Sequence, residues 1–259
     1  MSDIEIEQRF LAVTGLAQAA GALATGYFND LASLGTTMKG TQDFLTVADG
    51  AVEELLRRRI AAAFPDDRVL GEEGGGSAAD RLWIIDPIDG TANFARGDPH
   101  WCISIGFLRH GIPEIGAIFA PIAGELYLAR RGGGATRNGK PIHVSATHDM
   151  RVATVEIGWS SRRPSAAYLT MVEAAMAAGA NAKRSASGAM GLAYVADART
   201  DAYAEVHINS WDVAAGVVIV SEAGGWVNDF FVGDALIDGN PILAATPGLV
   251  AAMREATGI

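Results

Sequence analysis

Apolar side chains near the start of the chain recur at spacings of three and four residues, the period of an amphipathic α-helix. They include Phe10, Val13, Ala17, Ala20, Ala24 and Tyr27. A second helix is predicted to start near Thr46 and to run to Phe64, because Pro65 stops it there. The two helices are separated by a polar connector, residues 39–49, which holds more ionisable groups than a turn requires.

The pattern changes to strand periodicity further along the chain. Apolar side chains occupy every second position from Trp101 to Phe107, which predicts a strand. The apolar run 83–85 and the segments 115–120 and 125–129 predict further strands. The glycine-rich stretch 130–139 predicts hairpin loops.

Strands and helices alternate after about residue 150. The predicted strands are 152–157 and 202–206, and the predicted helices are 165–178, 189–196, 209–220 and 247–256. The sequence shows no internal repeat and no long linker. The change of pattern therefore predicts two tightly joined subdomains, residues 1–150 and 151–259.

The charge and the cysteine content narrow the classes of function. The 259 residues carry a formal net charge of −10, and such a surface repels nucleic acid and anionic lipid. A single cysteine, Cys102, permits no intramolecular disulfide, and the acidic N-terminus lacks the apolar core of a signal peptide. The longest apolar stretches are interrupted before they reach membrane-spanning length. We therefore expect a soluble cytoplasmic protein that binds neither nucleic acid nor membrane.

The segment WIIDPIDGTANF, residues 83–94, carries the most unusual chemistry. A hydrophobic strand delivers Asp86 and Asp89, three positions apart, and Gly90 and Thr91 then turn the chain. An aspartate beside proline or glycine at a strand end is often only a turn former. That explanation accounts for either aspartate singly, but not for a pair followed by a hydroxyl.

Two further acidic positions stand out. Glu72 and Glu73 are adjacent in a glycine-rich loop, where solvated surface is the ordinary explanation. The loop lacks the lysine of a nucleotide P-loop and does not fit a dinucleotide fingerprint. Asp212 stands in the first turn of a predicted helix, where capping is the ordinary role. Its apolar neighbours, however, predict that it is partly buried and in need of a partner.

Convergence of these segments would place four negative charges in one small volume, those of Glu72, Asp86, Asp89 and Asp212. Like charges at short range raise one another's pKa, so divalent cations would be needed to offset them. The all-oxygen ligand set favours Mg²⁺, with Mn²⁺ possible, over zinc. The five histidines form no metal-ligand pattern and are interpreted as loop or surface residues.

Three segments together resemble a known family. GEE, WIIDPIDGTANF and WDVAAGVVIVSEAGG resemble, in order and spacing, the signature regions of the inositol monophosphatases, and the resemblance extends over about residues 39–225. The haloacid-dehalogenase phosphatases also carry an aspartate-rich segment after a strand. In those enzymes one residue separates the two aspartates, whereas two residues separate them in this sequence.

The resemblance implies a layered α-β-α-β-α sandwich. Residues 1–150 would hold helices, a large antiparallel sheet and most metal ligands, and residues 151–259 would form a smaller α/β part that supplies Asp212 and substrate contacts. The resemblance also implies a homodimer that hydrolyses a small phosphate monoester with two or three Mg²⁺ per site.

The metal ligands that the resemblance implies are Glu72, Asp86, the backbone carbonyl of Ile88, Asp89 and Asp212. Glu72 and Thr91 would orient the attacking water on one ion, and a second ion would stabilise the leaving alkoxide. Asp89 would be essential to turnover. Further polar side chains would surround the metal site or form a weak third-metal region: Lys39, Asp43, Thr46 and Asp49. A surface salt bridge and a helix cap explain those four equally well.

The substrate contacts that the resemblance implies are Asp89, Gly90, Thr91, Ser187, Glu205 and Asp212. Glu205 matches the position that binds the ring hydroxyls, although a strand-end carboxylate facing water is the ordinary alternative. Near Ser187 and Arg184 the order of residues departs from the family's usual glycine-serine-alanine. That departure leaves the leaving-group pocket open.

Several functions remain open at this point. Myo-inositol 1-phosphate is the favoured substrate, and histidinol phosphate is an alternative because Glu205 could pair with its amine. Relatives also hydrolyse fructose 1,6-bisphosphate or adenosine 3′,5′-bisphosphate, but the motifs show no aromatic or basic platform for a nucleotide base. An alternative of another class is a regulatory protein that uses the same fold to bind a partner.

Overall fold

The computed structural model describes residues 3–31, 36–40 and 43–259, with the backbone alone described for 36–40 and 43–45. The helices in these residues are α1 (Asp3–Phe28), α2 (Val47–Ala63), α3 (Thr91–Phe94), α4 (Ser165–Ala177), α5 (Gly188–Ala196), α6 (Ser210–Glu222), α7 (Ala235–Asp238) and α8 (Val250–Thr257). Single 3₁₀ turns cover Met150–Val152 and Pro247–Leu249.

The strands form three sheets. A hairpin consists of β1 (Thr36–Gly40) and β2 (Asp43–Thr46). A seven-stranded sheet contains, in spatial order, β3 (Arg68–Gly71), β4 (Arg81–Asp89), β5 (Cys102–Arg109), β6 (Ile112–Ala120), β7 (Glu125–Arg130), β8 (Ala135–Arg137) and β9 (Lys140–Pro141). A five-stranded sheet has the order β11 (Asn181–Lys183), β10 (Thr154–Ile157), β12 (Ala202–Ile208), β14 (Asn240–Ala245) and β13 (Trp226–Val227).

These elements stack in five layers. Helices α1 and α2 pack on one face of the seven-stranded sheet, and α5 and α6 pack on its other face. The five-stranded sheet covers the far side of α5 and α6, and α4 and α8 close the stack. The layered α-β-α-β-α sandwich predicted from the sequence is therefore confirmed. The seven-stranded sheet is antiparallel except for the β3–β4 pair.

The alternating pattern in β5 does not mark a solvent-exposed face, because both faces of this strand are buried. Ile103, Ile105 and Phe107 belong to the core under α1 and α2. The intervening positions are small where they meet α6: a Cβ atom added to Gly106 would lie 2.6 Å from Cβ of Ala214. The large side chains of β5 therefore face α1 and α2, and the small ones face α6.

Helix α6 approaches the sheet closely because two glycines lie under it. A Cβ atom added to Gly116 would lie 2.2 Å from the carbonyl oxygen of Ala215, closer than real Cβ contacts come. Together with Gly106, this position allows the helix backbone to rest on the sheet backbone. The contact sets the position of the first turn of α6, which contains Asp212.

Helix α1 is longer and more apolar than the sequence pattern predicts. Over 18 residues α1 has a mean hydropathy of 1.2, which by length and composition would be enough to cross a membrane. Its buried side chains, among them Val13, Ala17 and Ala20, belong to the core that α1 shares with α2 and the seven-stranded sheet. In this fold one side of α1 packs on the core, and 33% of the 18-residue window is buried.

Most helices and strands lie within one or two residues of their predicted positions, but the connector between α1 and α2 was predicted wrongly. Part of it forms the β1–β2 hairpin. Strands β3, β9, β11, β13 and β14 and the short helix α7 were not predicted, and the segment 130–139 contains β8. These strands are two to six residues long, too short to show a clear period. The boundary near residue 150 stays a prediction.

Candidate active site

An irregularity in β4 brings the aspartate pair together. In a regular strand, residues three apart point to opposite faces of the sheet. The pairing of β4 with β5 shifts between Asp86 and Asp89, so that Asp86 faces Ser104 and Asp89 faces Cys102. The amide of Ile88 donates to Oδ1 of Asp86 at 2.9 Å inside this bulge. A β-bulge redirects side chains in this way, so both carboxylates reach the same place.

The third carboxylate arrives from the other half of the chain. Asp212 lies in the first turn of α6, and its Oδ2 accepts a hydrogen bond from the amide of Asn209 at 3.0 Å, which closes a capping box. One carboxylate oxygen from each of Asp86, Asp89 and Asp212 lies within 4.8 Å of the others. The Asp212 side chain therefore does both things that were predicted: it caps α6, and it lies beside Asp86 and Asp89.

Burial makes this acidic cluster unfavourable when it is fully ionised. Burial and the charges of Glu72, Asp89 and Asp212 raise the pKa of Asp86. Burial and the charge of Asp89 raise the pKa of Asp212 to about 7. A group of three carboxylates with raised pKa values attracts either protons or a cation, as expected of a metal site.

Asp89 accepts more hydrogen bonds than Asp86 or Asp212 does. Its Oδ2 accepts from the hydroxyl of Ser187 at 2.5 Å and from the amide of Ala189 at 2.7 Å, and its Oδ1 accepts from the amide of Gly188 at 3.2 Å. These donors form the first turn of α5. Burial raises the pKa of Asp89, and the three hydrogen bonds oppose that rise. The Ser187 hydroxyl, predicted to contact substrate, is engaged by Asp89.

The loop that carries Glu72 is held from below by α2. The buried carboxylate of Glu53 accepts from the amides of Glu73 at 2.8 Å and Gly74 at 2.7 Å. Arg57, paired with Glu53 at 2.7 Å, donates to the carbonyl oxygen of Gly75 at 2.6 Å. This clamp places Glu72 at the cavity beside the acidic cluster and close enough to Asp86 to raise its pKa.

Thr91 connects the bulge to the start of α2. Its hydroxyl oxygen lies 2.9 Å from the carbonyl oxygen of Ile88 and 3.3 Å from Oδ1 of Asp49. The other oxygen of Asp49 closes a capping box with Thr46. Burial raises the pKa of Asp49 to about 6, against the hydrogen bonds from Thr46. Thr46 and Asp49 thus form a helix cap that also contacts Thr91, while the side chains of Lys39 and Asp43 lie outside the described residues.

A cavity of about 200 Å³ opens beside the acidic cluster. The predicted site residues that line it include Glu72, Asp89, Thr91, Ser187, Glu205 and Asp212. Gly90 also lines it, with φ of 96°, at the start of the one-turn helix α3. The structure therefore brings these predicted residues together around one space.

Glu205 is buried against that cavity rather than exposed at a strand end. Its Oε2 accepts from the hydroxyl of Tyr203 at 2.6 Å, and a Cβ atom added to Gly158 would lie 2.0 Å from the same oxygen. Burial raises the pKa of Glu205 to about 8, although the Tyr203 hydrogen bond opposes the rise. Near neutral pH this side chain therefore holds a proton.

The comparisons with known proteins agree with this geometry. The family model described as "Inositol monophosphatase family" matches residues 6–257. The chain belongs to the inositol monophosphatase family. This is a family of metal-dependent phosphatases, and the resemblance seen in the sequence is confirmed.

Relatives in the inositol monophosphatase family carry two kinds of name. The Nus factor SuhB of Xylella fastidiosa is 40% identical over 222 residues, which cover 85% of this chain and 81% of the relative. The inositol-1-monophosphatase of Rhizobium meliloti is 35% identical over 241 residues, 91% of each protein. The extragenic suppressor protein suhB of Bartonella henselae has a similar structure, with a TM-score of 0.88 at 30% identity over 95% of this chain and 96% of that one.

The pocket of this inositol monophosphatase family member contains residues that the motifs did not predict. Trp159 and Arg162 line the cavity together with Arg184, which the sequence had placed on the same side as Ser187. Aromatic and basic side chains are therefore present beside the site, although the motifs contain none. These residues belong to a loop after β10 and to the segment before α5, which have no local signature. His207 was predicted wrongly, since it lies buried in β12 with Nε2 2.8 Å from the carbonyl oxygen of Asp238.

The segment near Ser187 that departs from the family pattern contains a residue with a strained backbone conformation. Ala186, the residue before Ser187, has φ of 64°. This is the left-handed region, which costs a residue with a Cβ atom about 1–2 kcal/mol. The strained position stands immediately before the serine that donates to Asp89.

Proposed function

We propose that this protein is a Mg²⁺-dependent phosphatase that hydrolyses myo-inositol 1-phosphate to inositol and phosphate. The observation that carries the proposal is the convergence of Asp86, Asp89 and Asp212 beside a cavity that also contains Glu72 and Glu205. The proposal includes a cytoplasmic location, as expected from the sequence, and a homodimer, as the family resemblance implies.

The donor set fits a hard divalent cation. Three carboxylates have oxygens within 4.8 Å of one another, and burial together with mutual repulsion raises the pKa of Asp86 and Asp212, so the cluster gains most from such an ion. Glu72 and the carbonyl oxygen of Ile88 would complete the ligand set. When bound, Mg²⁺ supplies Lewis acidity, which activates a water and stabilises negative charge on the leaving oxygen.

Thr91 and Glu72 are suited to orient the attacking water. The Thr91 hydroxyl has one proton, which it can donate to the carbonyl oxygen of Ile88 or to Oδ1 of Asp49, and its oxygen can still accept a hydrogen bond from water. In the reaction a bond forms between the water oxygen and phosphorus, and the bond between phosphorus and the leaving oxygen breaks. The proton that the water loses is balanced by the proton that the leaving oxygen gains.

Glu205 favours a polyol as the leaving group. Because the pKa of Glu205 is raised to about 8, the neutral acid can donate one hydrogen bond to a ring hydroxyl and accept another. An amine, as in histidinol phosphate, would instead require the carboxylate to ionise in a buried place. The hydrogen bond from Tyr203 holds the acid in position.

The test is phosphate release from myo-inositol 1-phosphate, histidinol phosphate and adenosine 3′,5′-bisphosphate, each with Mg²⁺ and with EDTA. We expect inositol phosphate to have the highest kcat/KM and EDTA to abolish turnover. Asp89→Asn should lower kcat by roughly 100-fold or more, whereas Asp149→Asn at an exposed helix cap should not change it. Full activity of Asp89→Asn would refute the assignment.

A second candidate is a binding role as a Nus factor, in addition to hydrolysis. It is favoured by the name of the relative at 40% identity. The Asp89→Asn variant separates the two functions in a cell that lacks the wild-type chain. Rescue by the variant at wild-type level would support the binding role, and failure to rescue would assign the phenotype to hydrolysis.

A further inference from the structure

A bulge in β12 places a histidine in the wall of the cavity, beside Glu205. The pairing of β12 with β14 shifts between Glu205 and Ile208. Neighbouring residues of a regular strand point to opposite faces of the sheet, whereas His207 and Ile208 both line the cavity. The bulge therefore adds to the wall a side chain that a regular strand would direct away from it.

Hydrogen bonding determines which nitrogen of His207 carries the proton. Nε2 lies 2.8 Å from the carbonyl oxygen of Asp238. Because a carbonyl oxygen can only accept a hydrogen bond, Nε2 is the donor. Burial lowers the pKa of His207, and the charges of Arg163 and Arg162 act in the same direction. The ring is therefore neutral near pH 7, and Nδ1 carries a lone pair and no proton.

The Nδ1 atom of His207 is a buried acceptor without a donor. The residue is 4% exposed, and no group in the described part of the chain donates to Nδ1. The ring also packs closely against the backbone, because a Cβ atom added to Gly239 would lie 3.1 Å from Cε1 and 3.2 Å from Nε2. This packing and the Asp238 hydrogen bond hold the ring in one orientation. A buried acceptor held in this way gains from any ligand that donates to it.

The surroundings of His207 select the kind of donor. Phosphate and carboxylate groups carry no proton that could be donated near neutral pH, apart from a partly protonated phosphate. An ammonium group could donate, but it would be repelled by Arg162, which lines the same cavity and acts on the His207 ring. A neutral hydroxyl group satisfies both conditions. The cavity therefore has, beside the protonated Glu205, a second group that suits a hydroxyl.

We propose that His207 is a specificity-determining residue, and that its Nδ1 accepts a hydrogen bond from a second hydroxyl of the leaving group. The inference rests on the proposed phosphatase function and deepens it, because the preferred leaving group then needs a hydroxyl in addition to the one that Glu205 binds. An ester without that hydroxyl leaves Nδ1 unpaired in the complex. A site built to bind a hydroxyl discriminates strongly against an analogue that lacks it.

The test compares myo-inositol 1-phosphate with cyclohexyl phosphate, which has the same six-membered ring and no free hydroxyl, on the Mg²⁺-loaded protein. In His207→Gln the side-chain amide can still donate to the Asp238 carbonyl, but the acceptor at the Nδ1 position is lost. We expect this variant to lower kcat/KM roughly tenfold or more for the inositol ester, and less than about twofold for cyclohexyl phosphate. His207→Asn keeps an acceptor near the Nδ1 position and should restore part of the loss. His143→Gln, at an exposed histidine, is the control and should change neither value.

Equal losses for the two esters in His207→Gln would overturn the proposal, because a purely structural role does not depend on hydroxyls. A second readout needs no turnover: the Nδ1 signal of His207 in a nitrogen NMR spectrum of histidine-labelled protein, assigned by its loss in His207→Gln. With Mg²⁺ and inorganic phosphate present, inositol should shift this signal and cyclohexanol should not. A signal that does not respond to inositol refutes the inference. If neither ester is hydrolysed, the proposed phosphatase function fails, and this spectrum decides the role of His207 by itself.

Discussion

Replacing Asp212 with asparagine should stabilise the metal-free protein while it destroys metal binding. Asparagine keeps an oxygen that can accept from the amide of Asn209, so the helix cap survives. What the substitution removes is a negative charge next to Asp86 and Asp89. The charge is unfavourable without a cation, and its removal is therefore expected to raise the free energy of unfolding.

The magnitude follows from the pKa. Burial and the charge of Asp89 raise the pKa of Asp212 from 3.8 to about 7, and each pH unit corresponds to about 1.4 kcal/mol. The full difference is about 4 kcal/mol. Because the three carboxylates share the repulsion, we expect a gain of about 2–4 kcal/mol for the variant at pH 8.

The sign of the pH dependence follows from the same values. The folded chain holds the Asp212 proton more tightly than the unfolded chain, so the stability of the wild type falls as the pH rises from about 4 to about 7. The variant has no such group. Its advantage should therefore be absent below pH 4, grow by about 2 kcal/mol between pH 5.5 and pH 8, and stay constant above that.

The assay is urea unfolding in EDTA at several pH values, repeated at pH 8 with Mg²⁺. Wild type should gain stability from Mg²⁺, and Asp212→Asn should gain little. Asp149→Asn is the control, because the pKa of exposed Asp149 is lowered to about 2 by hydrogen bonds from Arg151, so that removal of its charge should not stabilise. A variant less stable than wild type in EDTA at pH 8, or a pH-independent difference, would refute the reasoning.

Three further substitutions test the supports of the site. Glu53→Gln should raise the Mg²⁺ concentration for half-maximal activity with little change in substrate KM, because it loosens the loop around Glu72; Glu54→Gln, exposed on the same helix, should change neither. Ala186→Gly should raise the free energy of unfolding by up to about 1 kcal/mol, since it relieves the left-handed strain, and a loss of stability in urea would contradict that account. Gly116→Ala should lower stability by about 3 kcal/mol or more and weaken Mg²⁺ binding, because the added Cβ pushes α6 away from the sheet; unchanged Mg²⁺ affinity would show that α6 is not positioned by this contact.

Local pattern was sufficient to predict the helices and the longer strands. Helix α2 begins after Thr46, as predicted, because the capping side chain and the stop at Pro65 are both local signals. The approximate position of the acidic cluster also followed from three short segments. Here the resemblance to a family supplied the long-range contact between Asp212 and the β4 aspartates, which no local rule contains.

The rest depended on contacts between segments far apart in the chain. The Glu53 carboxylate holds a loop 20 residues away, and nothing in the helical period of α2 distinguishes it from a surface glutamate. Arg162 and Arg184 meet at one cavity only after β10 and β11 have paired. The buried position of His207 likewise depends on the carbonyl of Asp238, 31 residues later. Contacts of this kind leave no periodic pattern in the sequence.

The three carboxylates of the cluster are unequal, and this has a consequence for the metal-free protein. Asp89 receives three hydrogen bonds from the start of α5, whereas Asp86 and Asp212 each receive one from a backbone amide. As the pH rises, Asp89 is therefore the first of the three carboxyl groups to lose its proton. Asp86 and Asp212 keep their protons up to higher pH. A cation that binds to the cluster has to displace those protons. Metal binding should therefore release protons and acidify an unbuffered solution. The metal-free protein is in that sense a protonated form that would exchange its protons for a cation.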